Sequence, residues 1–324
     1  MDYTRLASGG HMPMVGYGTW QATEEELEVA LEAALEAGYR HIDTAAAYEN
    51  EHVIGRVLHR WLTEGKVTRE QLFIVTKLPP AGNRPEGVDK YLTSSLEALQ
   101  LDYVDLYLVH TPFAFQDGLG LHPTDRDGNI ILDPTTDLQA VWKAMEAEKQ
   151  KGRAKAIGVS NFNKSQLQRI LKIAAEPLEN LQIEVHAFLQ QQELVEFCKE
   201  HDISVCAYSP LGSRGSAKLF QDLHISKELP DLLSEPVVVE IAERHNKTAA
   251  QVLLRYSVQR GIAVIPKSIN PSRIHSNIQI FDFKLEQEDM SALKKLDKGE
   301  AGRIVDFSFF KGLADGHPEF PFML

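Results

Sequence analysis

From Tyr39 onward the chain alternates short apolar runs with segments of helical period, a rhythm that few architectures accommodate. Strand-like runs are legible at Tyr39–Thr44, Leu72–Lys77, Tyr103–His110, Ala154–Ser160, Leu181–Val185, Ile203–Tyr208 and Ile262–Pro266, with a weaker one at Ile278–Phe281. Between them, apolar residues recur at helical spacing near Asn50–Leu62, Glu86–Leu99, Leu138–Lys151, Lys164–Ala174, Gln192–Glu200 and Ala249–Gln259. Before the first strand, Leu27, Ala30, Leu31, Ala34 and Leu35 form one helical stripe within Thr23–Ala37, and Gly38 stands where a C-terminal cap belongs. Strict alternation implies a parallel sheet with right-handed crossovers. Runs such as Val104–Val109 are apolar almost without interruption, as expected where helices cover both faces. Eight such units in 324 residues favour a closed (β/α)8 barrel over an open doubly wound sheet.

Composition narrows the class. The 43% hydrophobic content supports one large core, so a single domain over residues 1–324 is expected. A net charge of −12 argues against a general nucleic-acid binder, although a few local cations still suffice for one anionic ligand. Two cysteines, Cys198 and Cys206, form no disulfide framework or zinc spacing, and no metal is expected. No signal-like N-terminus and no apolar run of about 18 residues is present, which implies a cytoplasmic chain with no membrane partner. Two segments stand apart: the loop 111–137 and the tail 301–324, both expected to cover a substrate pocket.

In a parallel barrel the functional groups gather at the carboxyl ends of the strands. Asp43 and Tyr48 follow the first strand, Lys77 ends the second and His110 the third. Ser160 and Asn161 follow the fourth, Gln182 and Glu184 lie in the fifth, Tyr208 and Ser209 end the sixth, and Lys267 and Ser268 the seventh. A phenol is a poor acid at neutral pH, a neighbouring ammonium lowers its pKa, and a carboxylate can hold that ammonium in place. Asp43, Lys77 and Tyr48 therefore make a coherent proton-relay group, with His110 placed to orient a carbonyl. Each also has an ordinary structural explanation: Asp43 as a helix cap, Tyr48 as a half-buried aromatic, His110 as a core histidine.

The stretch Gly38-Tyr39-Arg40-His41-Ile42-Asp43-Thr44-Ala45-Ala46-Ala47-Tyr48-Glu49-Asn50-Glu51, running on to Gly55, closely resembles a signature of the aldo-keto reductases. Gly16-Tyr17-Gly18-Thr19-Trp20 is similar to their opening loop, Val104–His110 to their third strand, and Gly158–Phe162, Tyr208–Gly212 and Ile265–Ser268 to their cofactor segments. The resemblance implies a TIM barrel with a short N-terminal hairpin and an extended C-terminal loop, usually monomeric, reducing aldehydes and ketones with NADPH. It further implies Tyr48 as general acid, its pKa lowered by Lys77 and Asp43, and His110 positioning the carbonyl. The nicotinamide would stack on Tyr208, with Ser160, Asn161 and Gln182 bonding its carboxamide. Gly18, Thr19, Trp20, Asp43, Ser209, Leu211 and Ser213 would add further cofactor contacts. Lys267, Ser268 and Arg273 would hold the 2′-phosphate and Asn277 the adenine, while Trp20, Tyr48, His110 and Thr111 would meet the substrate. Two cations at one anionic group is the physical basis of a preference for NADPH. No GxGxxG follows the first strand, so a Rossmann reading fails.

The chain also departs from the pattern. Thr111 and Pro79 stand where relatives often carry Trp, Ala187-Phe188 replaces a common Pro-Tyr, and Ser276 replaces an acid that loosens the adenine grip by its absence. Loss of two indoles implies a wider pocket, or one lined by Phe113, Phe115, Phe307, Phe309 and Phe310, suited to a hydrophobic aldehyde or a bulky, even steroid-like, ketone. The rival reading is a catalytically weak NADPH-binding regulatory or structural protein on the same fold. A double-bond reductase is less consistent, since relatives with that activity replace the catalytic His.

Overall fold

The computed structural model describes residues 2–314 and 316–322; the expected tail 301–324 thus includes Asp315, Met323 and Leu324, which lie outside the described residues. A short antiparallel hairpin, β1 (Tyr3–Arg5) with β2 (His11–Pro13), opens the chain. Eight parallel strands follow: β3 (Gly16–Gly18), β4 (His41–Asp43), β5 (Phe73–Leu78), β6 (Val104–Val109), β7 (Ala154–Ser160), β8 (Asn180–Glu184), β9 (Ser204–Tyr208) and β10 (Ile262–Val264). Each pairs with its sequence neighbour. A parallel bridge between Val15 and Val264, with Val264 N donating to the Met14 carbonyl at 2.8 Å, joins the last strand to the first. The TIM barrel expected from the alternation is therefore present.

One strand was misassigned by the sequence pattern. Ile278–Phe281 is not a strand; Ile278 ends a helix (Pro271–Ile278) and the following residues are irregular. Its apolar alternation reflects the burial of Ile280 beneath the helix ring rather than sheet pairing. The missing barrel strand is Gly16–Gly18, which its glycines disguised as a loop. Those glycines are what the barrel needs: a Cβ on Gly16 would stand 2.7 Å from the His41 ring and one on Gly18 2.7 Å from the Ile265 carbonyl. Glycine lets the backbone approach where any side chain would collide. The strands that carry Asp43, Lys77 and His110 are consequently the second, third and fourth of the barrel.

The helices that the periodicity placed are present, with Lys164–Ala174 ending early at Leu171, and the structure adds helices at Ser216–Asp222, Pro236–His245, Pro271–Ile278 and Gln287–Lys294. The first, Glu24–Glu36, starts in a capping box between Thr23 and Glu26 and carries acidic residues in its first turn, where they favour the helix dipole. Its buried face is Leu27, Ala30, Leu31, Ala34 and Leu35, the stripe read from the sequence. The β5 strand is buried along its whole length, and β6 buries Leu106, Tyr107, Leu108 and Val109. Each such aliphatic side chain contributes about 1.5–3 kcal/mol by leaving water. Cys198 and Cys206 are buried free thiols, and burial pushes that of Cys198 up to about 12.

The expected covering segments are packed parts of the fold. The tail runs back over the loop 111–137: Ile130 N donates to the Lys311 carbonyl at 2.9 Å, and Ala114 N donates to His317 Nε2 at 3.1 Å. Phe113 and Phe115 are fully buried between the two segments, Phe113 edge-on to Phe307 at 5.0 Å and Phe115 edge-on to Phe310 at 5.0 Å. They fasten tail to loop and do not line an open pocket. Only Phe309 and Phe310 of the expected aromatic lining remain half-buried.

Candidate active site

Parallel register sets the carboxyl ends of neighbouring strands side by side. Gly18 pairs with Asp43, Lys77 with Leu108, Ser160 with Gln182, and Glu184 with Tyr208. Polar side chains as far apart in sequence as Asp43 and Tyr208 thereby share one end of the barrel. Asp43, Tyr48, Lys77 and His110 are brought together.

Lys77 is the centre of that group. Its side chain is completely buried, and its Nζ donates to Asp43 Oδ1 at 2.6 Å, to the Thr44 carbonyl at 2.9 Å and to Tyr48 Oη at 3.4 Å. An ammonium has three N–H donors, so each is directed at one acceptor. Asp43 spends its other oxygen on Gln182, whose Nε2 donates to Oδ2 at 2.6 Å. Burial pulls the Lys77 pKa down, but the Asp43 carboxylate and the hydrogen bonds to Asp43 and Tyr48 outweigh it, so the amine stays charged with a raised pKa.

Tyr48 reaches this group from a turn of 3-10 helix, Ala46–Tyr48, that follows β4. Its pKa moves opposite to the expectation. Close packing raises the phenol above its ordinary value of 10.0; Lys77 works against that rise, and the Asp43 carboxylate reinforces it. Lys77 lowers the value as anticipated, yet desolvation is the larger effect and the sum is a firmly protonated phenol. Because the Tyr48 oxygen accepts from Lys77, its own hydrogen is free to donate elsewhere.

His110 stands edge-on to Tyr48, ring centroids 5.6 Å apart. Burial, then the Lys77 charge and His122, holds its imidazole well below the usual value, hence neutral. Its Nδ1 has no partner among the described residues. Asn161 Nδ2 donates to the His110 carbonyl at 2.9 Å and to Ser160 Oγ at 3.1 Å, and Tyr208 donates to Asn161 Oδ1 at 2.7 Å. Thr111 is adjacent but turned away: it is buried, and its hydroxyl donates to the Phe113 carbonyl at 3.0 Å, shaping the loop.

The remaining expected cofactor residues lie along the same rim. Thr19 Oγ1 donates to the Asp43 carbonyl at 2.9 Å, which ties the Gly18–Trp20 segment to the site, and Trp20 is half-buried beside it. Ser209 and Ser213 adopt left-handed backbone conformations, φ 50° and 48°, in the loop after β9 that also carries half-buried Leu211. Lys267 is exposed and donates to the Gln21 carbonyl at 3.2 Å; Ser268 and exposed Arg273 flank the N-terminus of the Pro271–Ile278 helix, and Asn277 is buried on it. The Ser276 hydroxyl turns back to the Arg273 carbonyl at 3.1 Å. A cavity of about 310 Å³ between Thr93 and Arg153 touches none of these residues, whereas one of about 360 Å³ beneath the tail reaches Asn161.

Some contributors escaped the sequence reading. Asn50, buried, donates to the Thr19 carbonyl at 3.0 Å and accepts from Thr44 at 3.5 Å, bracing both segments around Asp43. Its place two residues after Tyr48 was the available signal. His122 reaches from the loop to the Ala47 carbonyl at 3.4 Å and stacks on Phe310 at 5.7 Å; no local pattern marks it.

The donor set suits a dinucleotide with an extra phosphate. A carboxamide needs one donor and one acceptor. The Ser160 hydroxyl and the Gln182 side-chain oxygen, whose amide hydrogen is already given to Asp43, stand on paired positions of β7 and β8. A helix N-terminus flanked by Lys267 and Arg273 favours an anion.

A barrel with this constellation at its carboxyl end defines a carbonyl/alcohol oxidoreductase, and residues 14–298 match the model of the "Aldo/keto reductase family". The chain belongs to that family, whose members use nicotinamide cofactors, generally NADPH. It is 44% identical over 98% of its length to aldo-keto reductase family 1 member A1 of Cricetulus griseus, covering 97% of that protein. It is 42% identical to prostaglandin F synthase 1 of Bos taurus over 98% of this chain and 96% of that one. Among solved structures, the aldose reductase from Schistosoma japonicum superposes with a TM-score of 0.89 at 40% identity, covering 99% of each chain. Among the described residues no helix is long and apolar enough to cross a membrane.

Proposed function

We propose that this chain reduces a hydrophobic aldehyde or bulky ketone to the alcohol with NADPH, taking the proton from Tyr48. The observation that carries the reading is the Lys77 ammonium, whose three hydrogens go to Asp43, Thr44 and Tyr48 and leave the phenol hydrogen free. Tyr208, Ser160, Asn161 and Gln182 would hold a nicotinamide, which would supply the hydride for a carbonyl carbon. Tyr48 donates its proton to the carbonyl oxygen, and Lys77 stabilises the phenolate as it forms. Asp43, held by Gln182, keeps the ammonium charged and aimed. Neutral His110 donates one N–H to the carbonyl oxygen and so fixes its angle of approach.

Lys267, Ser268 and Arg273 would hold a 2′-phosphate, which supports a preference for NADPH. Thr111 and Pro79 stand in place of indoles, and the half-buried Trp20, Phe309 and Phe310 would supply apolar aromatic surface at the mouth, which supports bulky apolar substrates over small sugars. The chain would act alone in the cytoplasm, as a monomer. Oxidation of NADPH with a panel of aromatic aldehydes, cyclic ketones and aldose sugars tests the reading. Turnover highest on apolar carbonyls is expected. Best efficiency on sugars would overturn the substrate class, and tight NADPH binding without any turnover would favour the regulatory alternative.

A further inference from the structure

Glu184 ends β8 two residues after Gln182, so both side chains lie on the same face of the strand. Gln182 serves Asp43; Glu184 does something else. It is completely buried, and its carboxylate accepts from Ile304 N at 2.7 Å, from Val305 N at 2.8 Å and from His186 Nε2 at 2.9 Å. His186 Nδ1 accepts from Phe188 N at 3.3 Å, which assigns the ring hydrogen to Nε2 and makes the imidazole a donor to Glu184. Three donors converge on one acceptor-only group, and two of them are backbone amides at the point where the tail crosses the barrel.

The tail bends sharply just beyond this clamp. Phe307 holds a left-handed backbone conformation, φ 60°, that costs a bulky residue about 1 kcal/mol or more. Such conformations persist where the surroundings over-determine them. Here the surroundings are Phe113, edge-on at 5.0 Å, and Phe322, stacked at 5.7 Å. Phe310 then stacks on His122, and His122 contacts the Ala47 carbonyl, one residue before Tyr48. A continuous path of contacts runs from Glu184 through the tail and the loop to the turn that carries the proton donor.

We propose that Glu184 is a positioning residue that docks the tail over the mouth of the barrel and thereby sets affinity for bulky carbonyl substrates. The kinetic half of this inference rests on the reading of the site as a carbonyl reductase; the docking half does not. A carboxylate suits the position because both of its oxygens accept. Glutamine at the same site offers one acceptor and an amide group that faces a backbone N–H.

The experiment is Glu184→Gln in the full chain, with backbone hydrogen exchange read at Ile304 and Val305 alongside kinetics. Loss of a hydrogen bond to a charged acceptor predicts exchange at those amides faster by roughly ten- to a hundredfold. KM for a bulky ketone should rise by about tenfold while kcat for a small aldehyde stays within about twofold. Glu184→Asp, which keeps the charge and shortens the reach, should fall between the two; it carries the same test if the Gln variant fails to fold. Unchanged amide exchange would overturn the docking role. Faster exchange with an unchanged KM for bulky ketones would overturn the substrate role. A wild-type protein that reduces no carbonyl would defeat the function proposed above, while the exchange data would still decide the clamp.

Discussion

The Lys77 ammonium stands 3.4 Å from the Tyr48 oxygen while bonded at 2.6 Å to Asp43, so the phenol and the carboxylate share one buried cation. Tyr48 therefore donates its hydrogen away from Lys77. Replacing Tyr48 by Phe removes the acid and leaves the ion pair in place. Reduction should fall by at least about 10²–10⁴-fold, with NADPH affinity unchanged within about twofold. Single-turnover kinetics and fluorescence titration check both halves; near-normal turnover would exclude Tyr48 as the donor.

The pH profile follows from the direction of the Tyr48 shift. Packing raises the phenol above 10.0 against the opposing pull of Lys77. With Tyr48 as the proposed acid, reduction would need the protonated phenol, so kcat should stay level through neutral pH and fall only as pH rises through that elevated value. A decline already complete near neutrality would contradict a phenol that stays protonated at pH 7. Lys77→Met should remove the lowering influence and slow proton transfer as well.

Asp43 and Lys77 are a buried pair, their side chains 2% and 0% exposed. Removing one partner strands a charge in the interior. Asp43→Asn should cost about 3 kcal/mol of stability in addition to activity. Denaturant titration separates this variant from Tyr48→Phe, which should unfold much as the wild type does.

The barrel seam predicts a second sensitivity. Gly16→Ala would place a methyl group 2.7 Å from the His41 ring, which is buried with no room to retreat. A loss of about 1–3 kcal/mol is expected from overpacking. His41 itself is held neutral, its pKa lowered by burial despite the Pro13 carbonyl and Asp43. A depressed folded-state pKa means that stability is full above the unfolded value of 6.5 and is lost as pH falls below it. His110 contributes in the same sense. Urea titrations at about pH 7 and about pH 5 should show weaker stability at the lower pH, with a smaller difference in His41→Gln.

For the cofactor, Lys267→Met and Arg273→Met should each weaken NADPH binding by about ten- to a hundredfold and leave NADH binding nearly unchanged, since only the extra phosphate loses a partner. Equal losses for both cofactors would remove these cations from the phosphate site.

Periodicity alone revealed the barrel, because a strand buried on both faces and a helix with one apolar stripe must write those patterns into neighbouring residues. The same local logic placed Asp43, Tyr48, Lys77 and His110 at strand ends, and the motif around Tyr48 marked it as the acid. It failed at Gly16–Gly18, whose strand character comes from pairing with His41–Asp43 and from the Pro266 carbonyl rather than from its own residues. Three other matters were decided only by tertiary contact. Whether the Tyr48 phenol rises or falls depends on packing against its charged neighbours. Whether Phe113 lines a pocket or plugs the tail depends on Phe307. Whether Glu184 is idle or a clamp depends on two amides 120 residues away. Local patterns record what a residue's own element must bury; distances between elements, which set these energies, are written nowhere in the order of the chain.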